Sequence, residues 1–122
     1  MKAASIFALT ALLAATAHAD CVAPVGNVTI PDGSKATLDE MLAAKKAVNE
    51  YNAAVEAYNS CLNLEQDAAV AARGKNITDE ERKAIEKQYA ERYNPEANKL
   101  QATADQLNAQ IRAYKAAHPP KS

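Results

Sequence analysis

The chain has 122 residues, with 14 Lys and Arg against 15 Asp and Glu, a formal net charge of −1 and 48% hydrophobic residues. Without a basic surplus, electrostatic capture of nucleic acid or anionic lipid is excluded as its main activity. One phenylalanine, five tyrosines and no tryptophan leave few large apolar side chains, so the core must be buried along a long seam rather than in a globular centre.

Residues 1–19 read as a signal peptide. Lys2 supplies the positive start, Ala3 to Ala15 an apolar stretch, and Ala17-His18-Ala19 a small-x-small cleavage site directly before Asp20. The apolar stretch is shorter than the ~20 residues that span a bilayer. The expected product is a periplasmic or secreted protein beginning at Asp20. A lipid anchor on Cys21 is the alternative, opposed by Asp20 and His18, which stand where a lipobox needs a small residue and a Leu-like one. Processing would remove Lys2, Phe7 and His18, leaving tyrosine as the one aromatic type and His118 as the one histidine.

Residues 20–36 hold Pro24, Gly26, Pro31 and Gly33, with Pro31-Asp32-Gly33 a turn signature, and predict an extended arm. Cys21 and Cys61, an even pair in an oxidising compartment, read as a disulfide; intermolecular pairing and free thiols are the alternatives.

Thr37-Leu38-Asp39-Glu40 is a capping box that opens the first helix. Met41, Val48, Val55, Leu62 and Ala69 then recur at heptad spacing with Ala44, Tyr51 and Tyr58 between them, the a and d places of a coiled-coil seam. Glu65 breaks the d series, and the helix should end near Arg73-Gly74, where Gly74 suits a left-handed C′ position. A second stripe of Ala43, Ala47, Ala54, Ala57, Cys61, Leu64 and Ala68 flanks the seam. Cys61 stands ~36 Å along the helix from Thr37, and the arm reaches at most ~55 Å when extended. A Cys21–Cys61 bond therefore predicts an arm laid back along the alanine stripe, with Val22, Val25, Val28 and Ile30 covering it.

Thr78-Asp79-Glu80-Glu81 is a second capping box, with acidic residues at the positive end of the helix dipole. The second seam reads Tyr93, Ala97, Leu100, Ala104, Leu107, Ile111 and Tyr114, while Ile85 and Tyr89 lie one place out of register. Pro95 lacks an amide hydrogen and crowds the preceding turn, so the helix either kinks there or restarts with Asn94 as cap. The stripe resumes without a gap, which favours a kinked but continuous helix. It should end near Ala117, with residues 118–122 a disordered tail. The expected fold is all-α: an antiparallel two-helix hairpin over residues 37–117, joined by a short loop and carrying the stapled arm.

Candidate chemistry is sparse. Ser34, Ser60 and Ser122 have no histidine in a folded element to act as base, and His118 with two oxidised cysteines makes no metal site. Glu80, Glu81, Glu86 and Glu91 alternate with Arg82, Lys83, Lys87 and Arg92 at helical spacing, the pattern of a solvated, ion-paired surface. No catalytic residue, cofactor or metal is expected. Tyr51, Tyr58, Tyr93 and Tyr114 fall on the seams, where they serve either as core rings with hydroxyls at the edge or as an aromatic groove for an extended peptide or partner helix.

Cys21 near Pro24, Ile30-Pro31-Asp32-Gly33 with Ala36 and Glu40-Met41, Tyr58-x-x-Cys61-Leu62, and the closing run Asn108 to Lys115 together resemble a type of small exported proteobacterial protein of unassigned function. The resemblance spans almost all of the chain after residue 19 and implies a helical hairpin with a stapled arm, but no activity. Periplasmic helical chaperones of the Spy type are similar in fold class alone, because the Leu-Thr-x-x-Gln motif of that group is absent. The expectation is a non-enzymatic exported protein that acts by protein binding or self-association. The alternative is a periplasmic chaperone-like or inhibitor-like regulator of an exported client.

Overall fold

The computed structural model describes residues 20–121; the expected signal peptide lies outside them. Two helices, α1 (Leu38–Ala72) and α2 (Asp79–Ala117), pack against each other as a hairpin, and no strand occurs among the described residues. At 1.5 Å per residue they are ~52 and ~58 Å long.

Both helices start where the capping boxes placed them. Thr37 accepts the Glu40 amide at 3.2 Å while the Glu40 carboxylate accepts the Thr37 amide at 2.8 Å. Thr78 and Glu81 repeat the exchange at 3.2 and 2.9 Å. Each box satisfies amides that a helix start otherwise leaves unpaired. At the far end of α1, Gly74 takes φ 79° directly after the C-cap Arg73, the left-handed turn that ends a helix and that a side chain disfavours. The turn is closed by an ion pair of 3.7 Å between Arg73 and Glu81.

α2 runs unbroken through Pro95. The missing amide deprives the Glu91 carbonyl of its intrahelical partner, on a stretch of α2 where Glu91 and Pro95 are both exposed to solvent. At its end, His118 closes the helix. Its amide donates to the Tyr114 carbonyl at 3.0 Å, and its ring stacks on that of Tyr114 with centroids 4.2 Å apart.

The seam of α1 is buried from Met41 through Ala44, Val48, Tyr51, Val55 and Tyr58 to Leu62, with Val55 and Leu62 only 1% exposed. The facing residues of α2 are half-buried or buried, and Leu107 is the most enclosed of them. Ile85 and Tyr89, out of register by sequence, also turn inward: Ile85 is buried and Tyr89 packs against Tyr58 and Leu62. A two-helix seam is open along its side, and the arm closes it.

The Cys21–Cys61 disulfide is present, with Cα atoms 5.8 Å apart. Closing a loop of this size stabilises the fold by about 4 kcal/mol in the chain-entropy model. The arm returns along the helices as expected but on a different face. It lies over the junction of α1 and α2, not over the alanine stripe. Val28 and Ile30 pack on the cluster formed by Ala44 and Val48 of α1 and Leu107 of α2, against which Ile111 also packs. From Pro24 to Ile30 alternate residues turn inward, as an extended chain requires, so Val25 faces solvent. Val22 and Val25 are 83% and 84% exposed, and Ala43, Ala54, Ala57, Leu64 and Ala68 stay exposed too. The physical reason is that the arm buries more by covering two helices at once, where partly exposed seam residues of both need a lid.

At its end the arm turns through Asp32, whose carboxylate accepts from the Ser34 amide and hydroxyl and lies below the usual carboxylate range for that reason. The turn seats Gly33 on α2, where its amide donates to the Gln110 side chain at 2.9 Å. A Cβ on Gly33 would overlap the Gln110 backbone carbonyl, so a glycine is needed for this close approach. Gly33→Ala should therefore destabilise the protein by about 1–3 kcal/mol, the range for a forced overlap in a packed interface, measured as a lower urea midpoint with faster proteolysis within residues 22–36.

The Glu81 carboxyl is held below its ordinary value chiefly by the Thr78 amide it accepts. A carboxyl depressed in the folded state adds stability that is complete above the unfolded value of about 4.5 and disappears as pH falls through the folded one. Glu81→Gln keeps an acceptor in the capping box without a proton to bind, so its urea midpoint should fall less on acidification than that of the wild type.

Candidate functional site

The arm is fastened at Cys21 by more than the disulfide. Glu65, which sequence reading placed at a break in the seam, accepts the Cys21 amide at 2.8 Å. Its other oxygen accepts from Arg92 of α2 at 2.7 Å, and the same guanidinium donates to the Cys21 carbonyl at 3.1 Å. One carboxylate and one guanidinium thus hold both backbone groups of Cys21 and join α1, α2 and the arm. Beneath them lie Tyr58 and Leu62, with Tyr89 and Tyr93 half-buried alongside. The Arg92 guanidinium also sits 5.5 Å from the centre of the Tyr89 ring, within cation–π range. The hydrogen bond to Glu65 is the main cause that raises the Arg92 pKa, so its charge is never in question. A d-place glutamate on one helix and an arginine on the other were the available signal for this clamp, but the pairing needs the register of the hairpin, which sequence alone does not contain.

Halfway along the seam, Glu96 is the one buried charged residue among those described. Lys99 holds its Oε1 at 2.8 Å, while Oε2 and the Tyr51 hydroxyl are buried without completing a hydrogen bond. The tyrosine pKa is raised, first by burial and then by the neighbouring Glu96 carboxylate, so the phenol stays protonated. Lys99 is shifted upward in turn by its bond to Glu96. This carboxylate was not anticipated from sequence, since it lies beside the apolar series of α2 rather than in it.

The four seam tyrosines do not form one exposed aromatic face. Tyr51 and Tyr58 are 4% and 7% exposed and belong to the core; Tyr93 is half-buried near the disulfide, and Tyr114 is half-buried at the opposite end under His118. The sulfurs of Cys21 and Cys61 lie near the Glu65 carboxylate, but both are spent in the disulfide and the carboxylate in the clamp, so the trio offers a cation nothing like a ligand set. Lys87–Glu91 and Lys46–Glu50 pair across exposed helix turns at 3.7 Å, as the charge spacing implies.

A groove of about 750 Å³ lies between the arm and the alanine stripe of α1. Val25, Asn27 and Thr29 form one wall, Ala43, Ala47 and Ala54 the other, and Tyr51 contributes to the floor. Glu40 and Glu50 are the charged residues that line it. No helix among the described residues is long and apolar enough to cross a membrane. In comparisons with known proteins, no family model, no curated protein and no solved structure matches the chain.

Arg92→Met keeps much of the side chain's apolar length but removes both donors of the clamp. With Arg92 and Glu65 at 35% and 21% side-chain exposure, the loss should be about 1–2 kcal/mol, the lower part of the range for charged hydrogen bonds because solvent screens the pair. Urea unfolding of the oxidised protein measures it, and amide exchange at Cys21 should quicken in parallel.

Proposed function

We propose that this chain is a non-enzymatic exported protein that acts by binding another protein, or a second copy of itself, through the face where the arm runs beside the alanine stripe. The observation that carries this reading is the groove left open there: Val25 is 84% exposed on the arm, beside Asn27 and Thr29, and Ala43 and Ala54 are exposed on α1 opposite it. Small side chains at helical spacing let another backbone approach closely, and contiguous apolar surface of this kind marks interaction sites.

The exported address rests on the signal-peptide pattern of residues 1–19 and accords with the Cys21–Cys61 disulfide, which persists in oxidising compartments. The non-enzymatic reading is supported by where the reactive groups are spent. Glu65 and Arg92 hold the arm, Glu40 and Glu81 cap helices, Lys99 neutralises Glu96, and His118 closes α2. The resemblance to small exported hairpin proteins belongs to the same reading.

A photo-crosslinking residue in place of Ala54, compared with one in place of Glu86 on the exposed surface of α2, tests the face. The expected outcome is a discrete adduct from position 54, with an envelope protein or as a dimer, and none from position 86; light scattering on the purified protein separates the two kinds of adduct. Equal labelling from both positions, or none from 54, would remove this face as the site.

A further inference from the structure

We propose that the groove beside the arm takes an extended polypeptide segment with small apolar and basic side chains, which adds edge to edge to the arm as a further strand. The inference rests on the protein-binding reading of the same face and specifies the partner's shape and chemistry.

The arm supplies the first reason. From Ala23 to Ile30 it is extended, with side chains alternating inward and outward, yet among the described residues no backbone group in this stretch forms a hydrogen bond. Among the described residues the backbone of the arm is hydrogen-bonded to the helices at Cys21 and Gly33, one on each side of this stretch. A segment of eight residues, roughly 26 Å long, is thus held by its ends and its inward side chains while its carbonyls, and its amides other than the one Pro24 lacks, stay unpaired. That is the template an exposed strand edge presents to another extended chain, and main-chain pairing to such an edge is an established mode of peptide recognition.

The groove supplies the second. Its far wall is alanine at positions 43, 47 and 54, which leaves room for the side chains of an added strand. The charged residues on its rim are both acidic: Glu50 already pairs with Lys46 at 3.7 Å, while the Glu40 carboxylate accepts from the Thr37 amide in the capping box and faces no cation among the described residues. The arm itself carries a single cation, Lys35, which already faces Asp32 at 3.7 Å, so a basic segment from another protein matches the rim better than a second copy of the arm.

The test titrates an alternating lysine–valine nonapeptide into the isotope-labelled, oxidised protein. Amide shifts and slowed exchange are expected within residues 23–30, with smaller shifts at Ala43 and Ala47. The same peptide N-methylated at alternate amides should bind at least about tenfold more weakly, a difference of 1.4 kcal/mol, and a glutamate–valine counterpart weaker still. Ala54→Lys, which places a bulky cation in the groove at an exposed helical position, should abolish binding without changing the thermal melt. Absence of shifts at millimolar peptide, shifts centred elsewhere, or equal binding of the N-methylated peptide would overturn strand addition. If Ala54→Lys blocks both peptides equally, the face still binds protein but not by main-chain pairing. If Ala54→Lys changes nothing, the face itself is wrong and both readings fall.

Discussion

The fastening of Cys21 to the middle of α1 is the constraint on which the rest of the molecule depends. Two long helices joined by a short loop meet along one seam, and the side of that seam is open to water. A hairpin of this kind buries too little to be firmly stable. The disulfide removes much of the freedom of the unfolded chain, and it does so at a point where the arm, drawn back from Cys61, has to pass over the junction of the two helices. Val28 and Ile30 then fill the gap between Val48 and Leu107 that neither helix fills alone.

The clamp of Glu65 and Arg92 sets the arm's path. A covalent bond to Cys61 would by itself permit the arm to descend on either side of α1, and the alanine stripe on the outer side looks receptive. Glu65 takes the Cys21 amide, Arg92 takes its carbonyl, and because Arg92 belongs to α2 the arm is drawn across to the inner side. At the other end Gly33 rests on the α2 backbone by Gln110. An ion pair in this partly exposed position adds modest stability; its larger consequence is to choose between two faces.

That choice has a functional side. An arm seated on the alanine stripe would have hidden both that stripe and its own edge. Seated over the seam, it leaves the stripe open and stands beside it as a second wall, with Val25 outward and its backbone unpaired. The interaction that completes the core therefore also creates the groove through which we propose that the protein binds. Glu65 and Arg92 hold this shape, and Glu96, buried beside Tyr51 with Lys99 on one oxygen, lies within the core.

What the sequence determined by itself is local and periodic. The two capping boxes, the left-handed turn at Gly74 and the heptad series from Met41 to Leu62 each follow from residues a few positions apart, so the helices and their buried faces were legible without a structure. The Cys21–Cys61 pairing was legible as well, because only two cysteines exist and the arm is long enough to join them. Tertiary structure decided how elements distant in the chain meet. Glu65 looked like a flaw in the seam until Arg92 and the Cys21 backbone came to it from 27 and 44 residues away. Gly33 read as a turn residue, and its close contact with Gln110 lies 77 residues along the chain. The face taken by the arm, the burial of Glu96 and the groove depend on the relative rotation of two helices, a property of packing across the hairpin that no stretch of sequence carries alone.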